Sequence, residues 1–381
     1  MGVNPQSPVL ELDHAHDQHL LDTMCTAPAS AFQPHDKIRD LRAANLFLSL
    51  TTIGLFIVTL SLLAMEKQSQ LCLHSLLLDD DANVCNGTKL AFENQLCADL
   101  EVPAPQAGGN VTNGYIGALE VDVVPNTLPF YQSSMCPVNV HWHLGSEHYS
   151  YGQFDENGDG PHGNIPRPEW AARTLTEDKH EELQAGFRCH HYNAADPKFT
   201  TTYDWKHCKG MDIGETYEVH WPHSASGACG TVNQYQTPHY DGIFCKLDMD
   251  TFSTLAAQDI ANAIGVQSQV FTVVNDESYF YPDMMRGMIV DEKMGMGQDV
   301  AFYTGSTTGD TRSNEVCSMY TPITWQVDRK CHLISASSFD KLCYDMKLQR
   351  DDMSNDLHPH GSRELVSDDL VANNQARKDL R

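Results

Sequence analysis

The chain has 381 residues, room for one large or two medium domains, and its 41% hydrophobic and 20% charged residues are those of a globular protein. That composition excludes a disordered, collagen-like or long coiled-coil chain. Against 51 Asp and Glu stand only 25 Lys and Arg, a net charge of -26, so no nucleic acid is expected as a partner.

In chain order, residues 1–44 form a polar tail, read as cytoplasmic, ahead of an uncharged run, Leu46 to Met65. At 1.5 Å per residue that run is long enough to span about 30 Å of hydrocarbon, so residues 45–65 are predicted to be a transmembrane signal anchor. A cleaved signal peptide would have a shorter apolar run and would not begin after more than forty residues. Lys37, Arg39 and Arg42 precede the run and only Lys67 follows closely, which puts the amino terminus in the cytoplasm. A single-pass protein results, its later part facing the extracellular or periplasmic side or a lumen derived from the secretory pathway.

Residues 66–112 carry three Cys, the glycosylation sequons at Asn86 and Asn110, and the soft stretch Pro103 to Gly109, and read as a stalk. Of the 12 Cys, all but Cys25 follow the anchor, as an oxidising compartment favours. Disulfides are therefore expected, with an odd thiol left over and the connectivity open. No Cys-x-x-Cys occurs, which argues against a thiolate zinc or thioredoxin-type site.

The remaining domain, 113–381, is read as mainly β with peripheral helices. Strands are predicted in Ala118–Val124, Val138–His143, Thr216–Trp221, Ser268–Val274 and Ile323–Val327, which are β-branched, aromatic and partly alternating. The best helical candidates are Glu169–Ala185 and Thr251–Ile264.

Within this framework His141-Trp142-His143 stands out. In a strand, residues two apart point to one face about 7 Å apart, so both imidazoles can converge on one ion while Trp142 packs behind. Glu218 and His220 share a face in the same way and supply a third imidazole with a carboxylate beside it. Three imidazoles with an open fourth position is the layout of a catalytic zinc site, and Glu218 suits the role of accepting a ligand's other ring N–H.

The segments from Cys136 to His148, Asp204 to Lys209 and Gly214 to Ala225, continued by Gly227 to Gly230 and Tyr240 to Cys245, resemble the δ-class carbonic anhydrases of marine microalgae. A more distant likeness joins His141, His143, Glu218 and His220 to the α-class enzymes. Those likenesses imply a central, mostly antiparallel sheet of α-carbonic-anhydrase type. They also imply reversible hydration of carbon dioxide to bicarbonate by zinc-bound hydroxide, with cobalt or cadmium as substitute metals. The ligands would be His141, His143 and His220, with Glu218 and Asn139 behind them. Tyr303 to Thr308 is similar to the α-class loop that orients the hydroxide, which implies Thr307 as gatekeeper, Thr308 as its neighbour and Glu147 as the acceptor for the threonine. The loop is one residue shorter than the α pattern, so the two threonines can exchange roles. The histidine that carries protons in fast α-class enzymes has no counterpart before His141, which leaves His223 and His162 as shuttle candidates; His223 is also the best substitute ligand.

Three other readings compete. His141, His143 and Glu147 match the first cupin motif, but Met135 and Phe154 stand where its glycines belong. Asp155 to Gly160 begins like a calcium loop, but Pro166 replaces the closing Glu, and a polar turn accounts for it. A non-catalytic metal-binding ectodomain has to explain why the whole residue set is intact.

Overall fold

The computed structural model describes residues 83–85, 104–155, 160–161, 172–176, 179–307, 322–349 and 353–377, all within the unit Gln70–Arg381. The expected anchor, the tail, Asn86, His162 and Thr308 lie outside the described residues. Among the described residues, no helix is long and apolar enough to cross a membrane.

The strands are β1 (Cys136–Pro137), β2 (His141–Leu144), β3 (Ala172–Thr176), β4 (Lys179–Gln184), β5 (Thr216–Ser224), β6 (Ile264–Val274), β7 (Val300–Gly305), β8 (Ile323–Ser335) and β9 (Ala376–Arg377). Among the described residues four α-helices accompany them: α1 (His239–Ile243), α2 (Met249–Phe252), α3 (Ala257–Ala263) and α4 (Ala336–Gln349). Seven strands form one sheet in the order β1-β5-β6-β8-β7-β9, and β2 extends β1's edge along the rest of β5. Among the described strand pairs only the central β6–β8 pair is parallel. The expected mainly antiparallel sheet is thus present, as a mixed one. Among the described residues β3 and β4 form a separate two-stranded sheet.

Both faces are covered, which is why β5 is buried along its whole length. One face carries Trp142, Tyr217, Val219, Trp221 and Phe271 against Phe339, Leu342 and Met346 of α4. The other carries Val266, Tyr303, Trp325 and Val327, roofed by Ala107, Val111, Ile243 and Ile260. Residues 104–111, which composition groups with the stalk, are therefore part of this domain: Ala107 and Val111 are almost fully buried, and Gln106 donates its backbone N–H to Leu370.

Among the described residues four disulfides join Cys85 to Cys245, Cys136 to Cys229, Cys189 to Cys331 and Cys208 to Cys343. Their partners lie 93 to 160 residues apart. Loops of that length give roughly 4–5 kcal/mol each in a chain-entropy description. Cys72, Cys97 and Cys317 lie outside the described residues.

Three predicted elements come out differently. Ala118–Val124 is extended but is not a strand: Leu119 makes one bridge to Ala372, while Val121 and Val124 donate to the Asn373 and Gln258 side chains. Glu169–Ala185, expected to be helical, contains the β3–β4 hairpin, where the β-branched Thr174 and Thr176 favour extended backbone. Thr251–Ile264 is divided into α2 and α3 because the Ser253 and Thr254 hydroxyls turn back onto the Asp250 and Thr251 carbonyls, while Asp259 caps the Ala256 N–H.

Candidate active site

Register brings the histidines together. In the antiparallel β2–β5 pair His141 faces His220 and His143 faces Glu218, so two residues of each strand project from the same face. Gly145 then turns the chain at φ +75°, and a side chain there would collide with the backbone of Gly186. That turn sends Ser146, Glu147 and His148 back over Glu218.

The ring centroids of His141, His143 and His220 lie 4.6 to 5.4 Å apart, and one nitrogen of each falls within 4.8 Å of the others. All three are buried. His141 Nδ1 is bonded at 2.7 Å to Asn139 Oδ1, whose amide group is fixed by donating to the Gln236 carbonyl. His143 Nδ1 donates to the Gly361 carbonyl at 3.0 Å. Both rings therefore carry their proton on Nδ1 and keep the Nε2 lone pair free. The Nε2 atom of His143 is buried without a hydrogen-bond partner, while His220 turns its Nε2 toward Glu218 Oε2, 3.4 Å away. Buried polar atoms are rarely left unpaired, and three imidazoles in this arrangement fit a dication.

Electrostatics favours the neutral ring at His141 and His143. Burial and the surrounding imidazoles hold His141 well below the ordinary imidazole value. His143 is brought down to about 4, chiefly by burial, with Glu147 opposing. His220 moves the other way: burial lowers it, but Glu218 and Glu147 together outweigh that.

Glu218 is fully buried and more heavily engaged than its place in the sequence suggests. It accepts from the Glu147 N–H at 2.6 Å, the Ser268 hydroxyl at 2.7 Å, the Ser146 hydroxyl at 3.3 Å and His148 Nδ1 at 2.7 Å. Burial alone would raise its carboxyl, but His148 and His220 keep it well below the usual carboxylate range. With Nδ1–H donating to Glu218, His148 Nε2 accepts from the Tyr303 hydroxyl at 2.6 Å, so a polar chain from Tyr303 through His148 ends on the carboxylate. Glu147 is likewise buried and held ionised against burial by His143, His220 and Arg363, and its Oε1 accepts the Arg363 backbone N–H at 2.8 Å. Thr307 lies buried two residues beyond the end of β7.

The sequence did not point to His148, Ser268, His239 or His360 as neighbours of the site. His148 reads as a solvated histidine, yet it is 2% exposed. The His239 and His360 rings lie against His141 at 5.6 and 5.2 Å, brought there from α1 and from the carboxy-terminal segment beside β2. No local periodicity signals contacts made over such separations.

His223 requires a correction. It is three residues beyond His220 on β5, and the period of two turns it to the opposite face. There it lines a cavity of about 750 Å³ with Phe130, Tyr235, Gln267 and Met288, its Nδ1 bonded to the Trp221 carbonyl. It is neither a substitute ligand nor a neighbour of the three histidines. His162 lies outside the described residues. Asn110, the described sequon, is half-buried, its side-chain oxygen accepting the Thr112 N–H.

The sheet presents three convergent imidazoles, able to hold a metal ion, against a network of buried carboxylates. The Delta carbonic anhydrase family model matches residues 132–338, which include every one of those ligand candidates, and the chain belongs to that family. It is a carbonic anhydrase, and its reaction is the hydration of carbon dioxide to bicarbonate. Among curated proteins, no relative matches the chain.

Proposed function

We propose that hydration runs on a zinc ion held by His141, His143 and His220. The observation that carries this reading is the fixed tautomer of His141 and His143, whose Nδ1–H groups are committed to Asn139 and Gly361 while the Nε2 atoms stay free. A zinc ion bound there supplies a Lewis acid that brings the pKa of a coordinated water to about 7. The chain's own groups prepare the rest. Asn139 and the Gly361 carbonyl fix ring orientation, and Glu218 stands behind His220, raising its basicity. Glu147, kept ionised in a buried setting, accepts the proton of the Thr307 hydroxyl in this reading. That hydroxyl is left with only lone pairs to offer the attacking oxygen, which aims it at carbon dioxide. Thr308 is the alternative for the same task. Trp325, packed on His220 at 5.1 Å, helps keep water from the apolar side of the site.

The test is metal analysis of the purified full chain coupled to a hydration assay. Chelation should abolish hydration and added zinc or cobalt should restore it, whereas His143→Ala should show no recovery. Full activity in the chelated protein or in that variant overturns the assignment.

We also propose that residues 45–65 anchor the protein in a membrane with the catalytic domain on the non-cytoplasmic side. The uncharged run, the preceding Lys37, Arg39 and Arg42, and the disulfides of the domain support this reading. Protease added to sealed vesicles should reach the domain only from that side, and Asn86 or Asn110 should carry glycan; cytoplasmic accessibility reverses it.

A further inference from the structure

We propose that Asp356, His358 and His360 form a second site, for a divalent transition-metal ion, separate from His141, His143 and His220. The three residues alternate along Asp356-Leu357-His358-Pro359-His360, and one ligand atom of each lies within 4.8 Å of the others. Asp356 Oδ1 is already bonded to His360 Nε2, and the His358 and His360 ring centroids are 5.7 Å apart. His358 Nδ1 faces the Pro359 carbonyl at 3.2 Å, which leaves Nε2 for a ligand.

The scaffold under this segment is rigid. Leu357 is buried in the core and its carbonyl accepts from the Lys209 N–H at 2.8 Å. His360 pairs its N–H with the Trp142 carbonyl at 2.7 Å, and its carbonyl accepts from Leu144 at 2.8 Å, so it runs beside β2. The carboxylate is buried, while both imidazoles are half-exposed. An ion can therefore enter from solvent and keep water in its remaining positions. Two imidazoles and one carboxylate suit zinc, cobalt or nickel and are a poor match for calcium or magnesium, which take oxygen ligands. Ion entry breaks the contact between Asp356 and His360 Nε2, and the His360 ring then carries its proton on Nδ1. The site stays distinct from the first: the His360 ring stacks on His141, but its Nε2 points to Asp356.

The experiment counts zinc bound per chain in the full-length protein, stripped with chelator and titrated back, with hydration measured in parallel. Asp356→Asn combined with His358→Ala should bind one zinc fewer than the parent while hydration persists. His358→Ala alone, the mildest change to the fold, should weaken the same ion. His220→Ala should lose the other ion together with hydration. A zinc count unchanged by the double substitution overturns the proposal, whatever becomes of the first site in His220→Ala.

Discussion

His220 and His223 lie three residues apart on β5, both buried, yet they belong to different halves of the molecule. His220 faces a carboxylate network and two other imidazoles, and Glu218 with Glu147 raises its affinity for a proton. His223 faces an aromatic cavity, and burial brings it down to about 4. Residue type and burial fail to distinguish them. What separates them is strand parity, which decides whether the imidazole meets partners able to make it a ligand or only backbone carbonyls.

The most severe way to break this comparison is His220→Ala. Two imidazoles are too few to retain the catalytic ion, so metal analysis should find it lost and carbon dioxide hydration should fall to the uncatalysed level. Retention of the ion and of activity would mean that the ligand set is wrong.

Glu218→Gln comes next. Four groups donate to this carboxylate, and an amide replaces one accepting oxygen with an NH2 that faces donors. The expected results are a loss of about 3 kcal/mol of stability in denaturant titration and zinc affinity weakened by roughly 10–100-fold. Unchanged affinity would reduce Glu218 to a structural group. Tyr303→Phe removes only the far end of the same network, so about 1 kcal/mol and a smaller shift in zinc affinity are expected. If that variant weakened zinc as much as Glu218→Gln, the Tyr303–His148 link would matter more than the carboxylate itself.

The legibility of the site followed the same division. The His141/His143 and Glu218/His220 pairs can be read from the sequence because spacing by two within a strand is a local property, and β2–β5 pairing needs only one register to join them. Asn139, two residues before His141, was within reach of the same logic. Ser268, His239, Gly361 and Arg363 come from other strands, a helix and the carboxy-terminal segment, and nothing local marks them. His148 was visible beside Glu147, but its burial depends on the turn at Gly145 and the roof over it. In the fold, the long strands β5, β6 and β8 carried clear alternation or β-branched runs. The Glu169–Ala185 hairpin did not, since few apolar residues mark either a strand face or a helix stripe there. The opposite fate of His223 was derivable from parity alone: an even separation from Glu218 would have kept it on the catalytic face, and its separation is five.

The smallest effect on catalysis is expected from His223→Gln, and it sharpens the comparison because its effect on stability should be large by contrast. With His223 on the far face, hydration should change by less than about tenfold, below the usual contribution of a general acid or base, and added imidazole buffer should stimulate parent and variant alike. Stability is a different matter. In the unfolded chain this imidazole protonates near 6.5, whereas in the folded protein burial delays protonation to about 4. Between those values the unfolded state binds the extra proton, so stability is greatest above pH 6.5 and declines as pH falls toward 4, by about 3 kcal/mol from this group. Denaturant midpoints measured across that range should therefore show a shallower acid decline in His223→Gln than in the parent. A steep fall in hydration with zinc retained would place His223 on the proton path after all and would overturn the assignment of the two faces.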